Sequence, residues 1–203
     1  MVTHLPFRAW CKHCVRGKSK AKKHSAARKD HVVPTLAVDY MFMHSTQRPG
    51  EEKGMPILVG RDIADEMEGT GMIFARVVPR KGAHPYAVKC LASDIARLGH
   101  QTLVMKSDDE PSIKALTEAA RSERPERVIM EESPVHDSAS NGAVENTIQQ
   151  VQGQIRTMKD CLETSIEARI PGDSPIIPWL VMHVAQTINR YHIHTDGCNN
   201  YFR

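Results

Sequence analysis

Residues 34–44, PTLAVDYMFMH, are apolar on both faces of an extended chain. In a strand, Leu36, Val38, Tyr40 and Phe42 fall on one side and Ala37, Asp39, Met41 and Met43 on the other. A strand apolar on both sides belongs at the centre of a sheet covered on both faces, which excludes a single exposed layer. Asp39 is the exception. A carboxylate in such a place costs several kcal/mol unless it is paired or holds a cation, so the strand that fixes the fold also marks a candidate site.

The rest of the chain supplies the cover. ILVGRDIA and GTGMIFARVVP read as two further strands, with the turn RPGEEKGMP before them, which predicts an antiparallel meander. In AHPYAVKCLASDIARLGH, Val88, Leu91, Ile95 and Leu98 recur at helical spacing and Gly99 supplies a stop. QTLVMKSDDE is a fourth strand, PSIKALTEAARSE a helix with Pro111 in its first turn, and ERVIMEES a fifth strand. SPVHDSAS lacks periodicity and reads as a mobile loop. A long helix follows, with Val144, Ile148, Val151, Ile155, Met158 and Leu162 on one face, Asn141 as its cap and Pro171 as its end. The last helix spans about Pro175–His192. This order predicts an α/β fold, a five-stranded mixed sheet covered by helices.

With 203 residues the chain can bury one good core. No apolar run approaches the roughly 20 residues that span a bilayer, so no membrane partner is expected. Five scattered cysteines argue for thiols in a reducing compartment rather than a disulfide framework. The charge is uneven: Arg8, Lys12, Arg16, Lys18, Lys20, Lys22, Lys23, Arg28 and Lys29 occur with no acid among them. Such an arm suits a polyanion; as a plain alternative it is a solvated tail or a localisation signal.

Two more carboxylates join Asp39. Asp108 lies at the end of the fourth strand, where open α/β sheets place ligand-binding groups, and the intervening helix allows that strand to run parallel to the first. Glu145 follows Val144 and so flanks the buried stripe of the long helix. Hard divalent ions want oxygen ligands, and two of them can clamp an in-line phosphoryl displacement. Taken singly, Asp108 and Asp109 also fit strand-end turn residues, and Glu145 a helix-start acid.

The segments VDYMFM, LVMKSDDEPSI and SPVHDSASNGAVENTIQQVQGQIRTMK resemble the catalytic core of retroviral and retrotransposon integrases, a branch of the ribonuclease H-like superfamily of DDE type. The resemblance covers about residues 32–195 and includes the strand order. It implies that Asp39, Asp108 and Glu145 hold two Mg²⁺ or Mn²⁺ ions, Glu145 standing in the element Asn141-Gly142-Ala143-Val144-Glu145. Where the family usually has Asp-Asn-Gly, this chain has Asp108-Asp109-Glu110; Asp108 is preferred and Asp109 remains the alternative. Where the family often places basic residues after the Glu, this chain has Gln149 and Gln152, with Arg156 and Lys159 further along. With Asn141 and the arm lysines Lys18, Lys20, Lys22 and Lys23, these are the expected nucleic-acid contacts. The implied activity is DNA integration, by 3′-end processing and strand transfer, in a homo-oligomer acting in the nucleus or in the cytoplasm before nuclear entry. A catalytically silent nucleic-acid-binding remnant is the alternative, and a ribonuclease H-like nuclease ranks behind both.

HLPFRAWCKHCVRGK carries Cys11-x-x-Cys14 with His4, His13 and His24 nearby, and a Cys-x-x-Cys hairpin supplies two of the four ligands zinc wants. The stretch resembles the end of the His-His-Cys-Cys module that precedes the integrase core, which implies an incomplete zinc site in residues 1–31; the alternative is a free thiol pair beside a packed Trp10. HTDGCNNYFR, with Tyr201 and Arg203, is similar to the DGxTxYxR close of the core in retroelement polyproteins. Residues 196–203 are then a truncated tail, and the small basic barrel that many integrases append is expected to be missing.

Overall fold

The computed structural model describes residues 3–18, 33–43, 54–63, 71–123, 127–132, 138–194 and 197–202. Five strands, β1 (Thr35–Phe42), β2 (Pro56–Ile63), β3 (Ile73–Val77), β4 (Thr102–Ser107) and β5 (Arg127–Glu132), form one sheet in the order β3-β2-β1-β4-β5. The first three make the expected antiparallel meander, and β4 and β5 run parallel to β1. Parallel pairing needs crossovers, and α2 (Pro85–Leu98) and α3 (Pro111–Ser122) provide them. The doubly apolar strand β1 is central, as its pattern requires.

Alternation along β1 divides the core. Leu36, Val38 and Tyr40 pack with Val88, Leu91 and Ile95 of α2 and with Ile113 and Leu116 of α3. On the other face Met41, Val59 and Ile73 meet Val151 and Ile155 of α4 (Ser138–Ile166) and Leu180 and Val184 of α5 (Ile176–Tyr191). Each fully buried aliphatic side chain contributes about 1.5–3 kcal/mol.

The ends of α2 follow the sequence signals: His84 Nδ1 accepts from the Tyr86 N–H at 3.2 Å, Pro85 opens the helix, and Gly99 closes it at φ 73°. The ends of α4 do not. It starts at Ser138, inside the predicted loop, so Asn141 stands within the helix and is not its cap. It stops at Ile166 rather than running on to Pro171, through a left-handed Glu167 (φ 53°) and an Ala168 N–H bonded to the Glu163 carbonyl at 3.2 Å. That is a Schellman closure without the usual glycine. The Glu163 carboxylate secures it by accepting from the Ile170 N–H at 2.7 Å and from Arg169 at 3.2 Å.

Residues 3–18, predicted as the start of an arm, are folded onto α4. The short helix α1 (Lys12–Lys18) meets α4 where Gly17 lies against Gly153 and Thr157, so closely that a Cβ on Gly17 would sit 2.0 Å from Thr157 Oγ1 and 2.9 Å from the Gly153 carbonyl. Gln154 Nε2 donates to the Thr3 carbonyl at 2.7 Å, and His13 pairs with Asp160. Trp10 is 79% exposed beneath Arg8, not packed beside the thiols as the alternative reading had it. The edge strand β3 is met by Asn189 of α5, whose amide accepts from the Ile73 N–H at 2.9 Å and donates to the Ile73 carbonyl at 2.8 Å.

Candidate metal and nucleic-acid site

β1 and β4 pair in parallel as Thr35↔Val104, Leu36↔Met105 and Ala37↔Lys106. Two residues further along each strand stand Asp39 and Asp108, at one level where the strands end their pairing. Asp39 shares its face of the sheet with Met41, which packs in the α4–α5 layer. Its Oδ1 accepts from the Tyr40 N–H at 2.6 Å. Asp108 Oδ1 accepts from the Glu110 N–H at 3.1 Å, a turn that fixes it at the strand end. Asp109 is exposed and pairs instead with Lys114 at 3.1 Å, so it is Asp108 that shares the level of Asp39.

Burial pushes the Asp39 carboxyl up to about 6, the neighbouring Asp108 and Glu110 carboxylates add to the rise, and the Tyr40 N–H and the Lys81 ammonium oppose it. A half-buried acid crowded by like charge is a position that a cation relieves, so this pair fits a divalent ion. Glu145 stands on α4, over the same face of the sheet, and is exposed, where the sequence reading set it at the flank of the buried stripe rather than on the solvent side. Val144 before it takes the buried position, and Thr147 after it accepts from Arg61 of β2 at 3.2 Å, which ties this part of α4 to the sheet. The three carboxylates do not gather with their oxygens all within 4.8 Å of one another. Strand register thus brings Asp39 and Asp108 level, and Glu145 stands exposed on the helix that covers that face.

Sequence reasoning missed a rim around this pair. Lys81, on the loop between β3 and α2, donates to both oxygens of Glu110 at 2.8 and 2.7 Å. The same ammonium lies 5.2 Å from the Tyr40 ring centre and 5.3 Å from that of Phe42. Tyr40 in turn accepts from the Gly82 N–H at 3.1 Å, which pins the loop to the end of β1. Glu110 could have been noticed, two residues from Asp108; nothing along the chain points to Lys81.

Of the expected nucleic-acid contacts, Gln149 is exposed and Gln152 half-buried. Arg156 Nε donates to the Gly17 carbonyl at 3.4 Å and Lys159 pairs with Glu163 at 2.5 Å, so both are engaged within the protein. Lys18 is the last residue of α1, Asn141 lies in the first turn of α4, and Lys20, Lys22 and Lys23 fall outside the described residues.

A second cluster lies on α4. His4, Cys11 and Cys14 are buried with one ligand atom each within 4.8 Å of the others, the one such group among the described residues. His4 Nδ1 stands 3.4 Å from Cys11 Sγ and 3.6 Å from Cys14 Sγ. The backbone N–H of Cys14 lowers the Cys11 thiol, which favours the thiolate a metal needs. The helical start of α1 thus turns both sulfurs of Cys11-x-x-Cys14 onto one histidine. That donor set fits zinc and supplies three of the four ligands it takes. His13, a sequence candidate, is directed to Asp160, and His24 lies outside the described residues.

No protein-family model matches the sequence, and no curated protein matches it. Solved structures do. A chain of the simian T-cell lymphotropic virus intasome, in complex with a PP2A regulatory subunit, superposes with TM-score 0.58 at 16% identity over 94% of this chain and 62% of that one. The HTLV-2 integrase catalytic core domain in complex with magnesium matches in its trimeric form with TM-score 0.56 at 13% identity, over 85% of this chain and 98% of that one. Its dimeric form gives 0.53 at 14% identity, over 84% and 96%. This chain therefore spans less than two thirds of the intasome chain and nearly all of the isolated core. Together with the strand order and the two helical layers, these likenesses establish that the chain has the ribonuclease H-like fold of a retroviral integrase catalytic core.

Proposed function

We propose that residues 32–195 are the core of a metal-dependent polynucleotidyl transferase that processes and joins DNA ends, as the integrase resemblance implies. One observation carries the reading: Asp39 and Asp108 stand level at the ends of two parallel central strands, on the sheet face that α4 covers. Glu145 is the third ligand in this proposal and must approach the pair when the site is loaded. Two Mg²⁺ or Mn²⁺ ions, when bound, would supply the charge stabilisation for attack of water or a 3′-hydroxyl on a phosphodiester. The protein's own part is to hold the two strand acids at fixed separation and keep Asp39 partly shielded from water. Gln149 and Gln152 lie where they can hydrogen-bond a DNA backbone, without the counterion release that lysines give. Lys18, Lys20, Lys22 and Lys23 supply that charge, with Arg156 and Lys159 if they leave Gly17 and Glu163. Asn141 would orient the start of α4. The likeness to cores in dimeric and trimeric forms supports a homo-oligomer, and DNA as substrate supports a nuclear site of action. Among the described residues no helix is long and apolar enough to cross a membrane.

His4, Cys11 and Cys14 would bind zinc within residues 1–31, with residues 196–203 closing the core as a short tail. The exposed position of Glu145, outside any close cluster with the two strand acids, favours a second reading, a core that binds DNA without cutting it. Strand transfer on a short oligonucleotide duplex with Mn²⁺ decides between them. Product with the wild type and none with Asp39→Asn supports the transferase. If both are inert while both still bind duplex with a steep salt dependence, the second reading holds.

A further inference from the structure

The acidic edge of the sheet carries a cation of its own. Lys81 is held from three sides: both Glu110 oxygens at 2.7–2.8 Å, and the rings of Tyr40 and Phe42 at 5.2 and 5.3 Å. Ring faces attract an ammonium through their quadrupole, so this is a built seat rather than a wandering surface lysine. The side chain is still 30% exposed and Glu110 37% exposed; the Glu110 N–H donates to Asp108 at 3.1 Å, and both charges of the seat act on the Asp39 carboxyl. An ammonium has three donors. Two are directed at Glu110, which leaves the partly exposed ammonium a third with which to meet an incoming oxygen. Lys81 sets a positive charge among the carboxylates of this edge, where a phosphodiester brought to Asp39 and Asp108 would otherwise meet more repulsion.

We propose that Lys81, seated by Glu110 and the two rings, is the residue that grips a DNA phosphate beside Asp39 and Asp108. The proposal rests on the DNA-processing reading above. It makes Lys81 a phosphate-positioning residue and Glu110 its holder. Glu110 neutralises the ammonium enough to keep it folded back in the free protein, and the phosphate takes over part of that charge when DNA arrives.

The test is the salt dependence of binding of the full chain to a blunt duplex oligonucleotide, followed by fluorescence anisotropy between 50 and 200 mM salt without added divalent ion. Each phosphate neutralised contributes about 0.9 to the slope of log affinity on log salt. Lys81→Met is expected to flatten the slope by that amount, so that the fourfold salt range costs about 3.5-fold less affinity than it costs the wild type. Lys81→Arg is expected to keep the slope. Glu110→Gln, which spares the ammonium and loosens its tether, is expected to keep the slope and tighten binding; it carries the test if Lys81→Met does not fold. An unchanged slope in Lys81→Met, a slope in Lys81→Arg equal to that of Lys81→Met, or Glu110→Gln binding as the wild type does would each overturn the proposal. Mn²⁺ uptake by titration calorimetry separates the two levels of inference. Loss of uptake in Asp39→Asn with retention in Lys81→Met leaves the metal site standing whatever the slope shows. Equal uptake in Asp39→Asn and wild type removes the parent reading itself, and a wild-type chain that does not bind duplex removes both.

Discussion

Asp39→Asn should make the protein more stable at neutral pH. The native state raises this carboxyl from 3.8 to about 6, chiefly by burial. The folded protein therefore holds the proton more tightly than the unfolded chain, and between about pH 4 and pH 6 stability falls as pH rises. At about 1.4 kcal/mol per unit, a shift of this size costs roughly 3 kcal/mol above pH 6; water reaching the half-buried side chain brings the expectation to about 2–3 kcal/mol. An amide has no such cost and can still accept from the Tyr40 N–H. Urea unfolding at pH 7.5 and at pH 4 measures the difference: a gain of about 2–3 kcal/mol for Asp39→Asn at the higher pH, and little at the lower, where the native carboxyl is already protonated. Added Mg²⁺ should close most of the gap, because an ion that binds only the folded wild type at a hundred times its Kd returns about 2.7 kcal/mol. If Asp39→Asn is no more stable than the wild type at pH 7.5, or gains equally at both pH values, the electrostatic account of this site is wrong.

Gly17→Ala should cost about 1–3 kcal/mol, because the added Cβ meets the Thr157 N–H and the Gly153 carbonyl, neither of which can rotate away; faster proteolytic release of the first 18 residues checks it. Asp94→Ala should cost about 3–5 kcal/mol by stranding Arg76, which the carboxylate holds at 2.7 and 2.5 Å in a largely buried pair; denaturant unfolding measures this, and a cost below 1 kcal/mol would refute the pairing argument. Cobalt added to the wild type should give the intense charge-transfer and d–d bands of thiolate ligation, and Cys14→Ser should lose them with little change in duplex binding by the core. Asn189→Ala should destabilise by about 1–3 kcal/mol, since it leaves both polar groups of Ile73 without their amide partner, with faster hydrogen exchange at β3 as the local readout.

Strand order and the two-layer core were legible because β1 is apolar on both faces and the helices carry clean stripes. Asp39 announced itself as a charge where none should be. The end of α4 was not legible: Glu167 takes the left-handed closing position that glycine normally signals, and the support comes from Glu163 folding back on Ile170. The start of α4 was misplaced for a related reason, since Ser138-Ala139-Ser140 reads as linker by composition yet is helical. Glu145 was placed on the correct helix, but its exposure depends on how α4 rotates over β1 and β2, which no local pattern encodes. The seat of Lys81 joins the ends of β1 and β4 with the β3–α2 loop, so only the closed sheet creates it. The docking of Cys11-x-x-Cys14 on α4 likewise depends on Gly17, which meets Thr157 and the Gly153 carbonyl far along the chain and is unremarkable until the helices touch.

The amide of Asn189 has a consequence for how copies of this molecule can join. An outer strand with open main-chain groups invites another strand to zip alongside it, the route to uncontrolled stacking. At Ile73 that invitation is already answered, donor and acceptor both, by a side chain reaching across from α5. A strand laid along this border would therefore forfeit its ladder bonds at Ile73, and the zip is blunted at that end of β3.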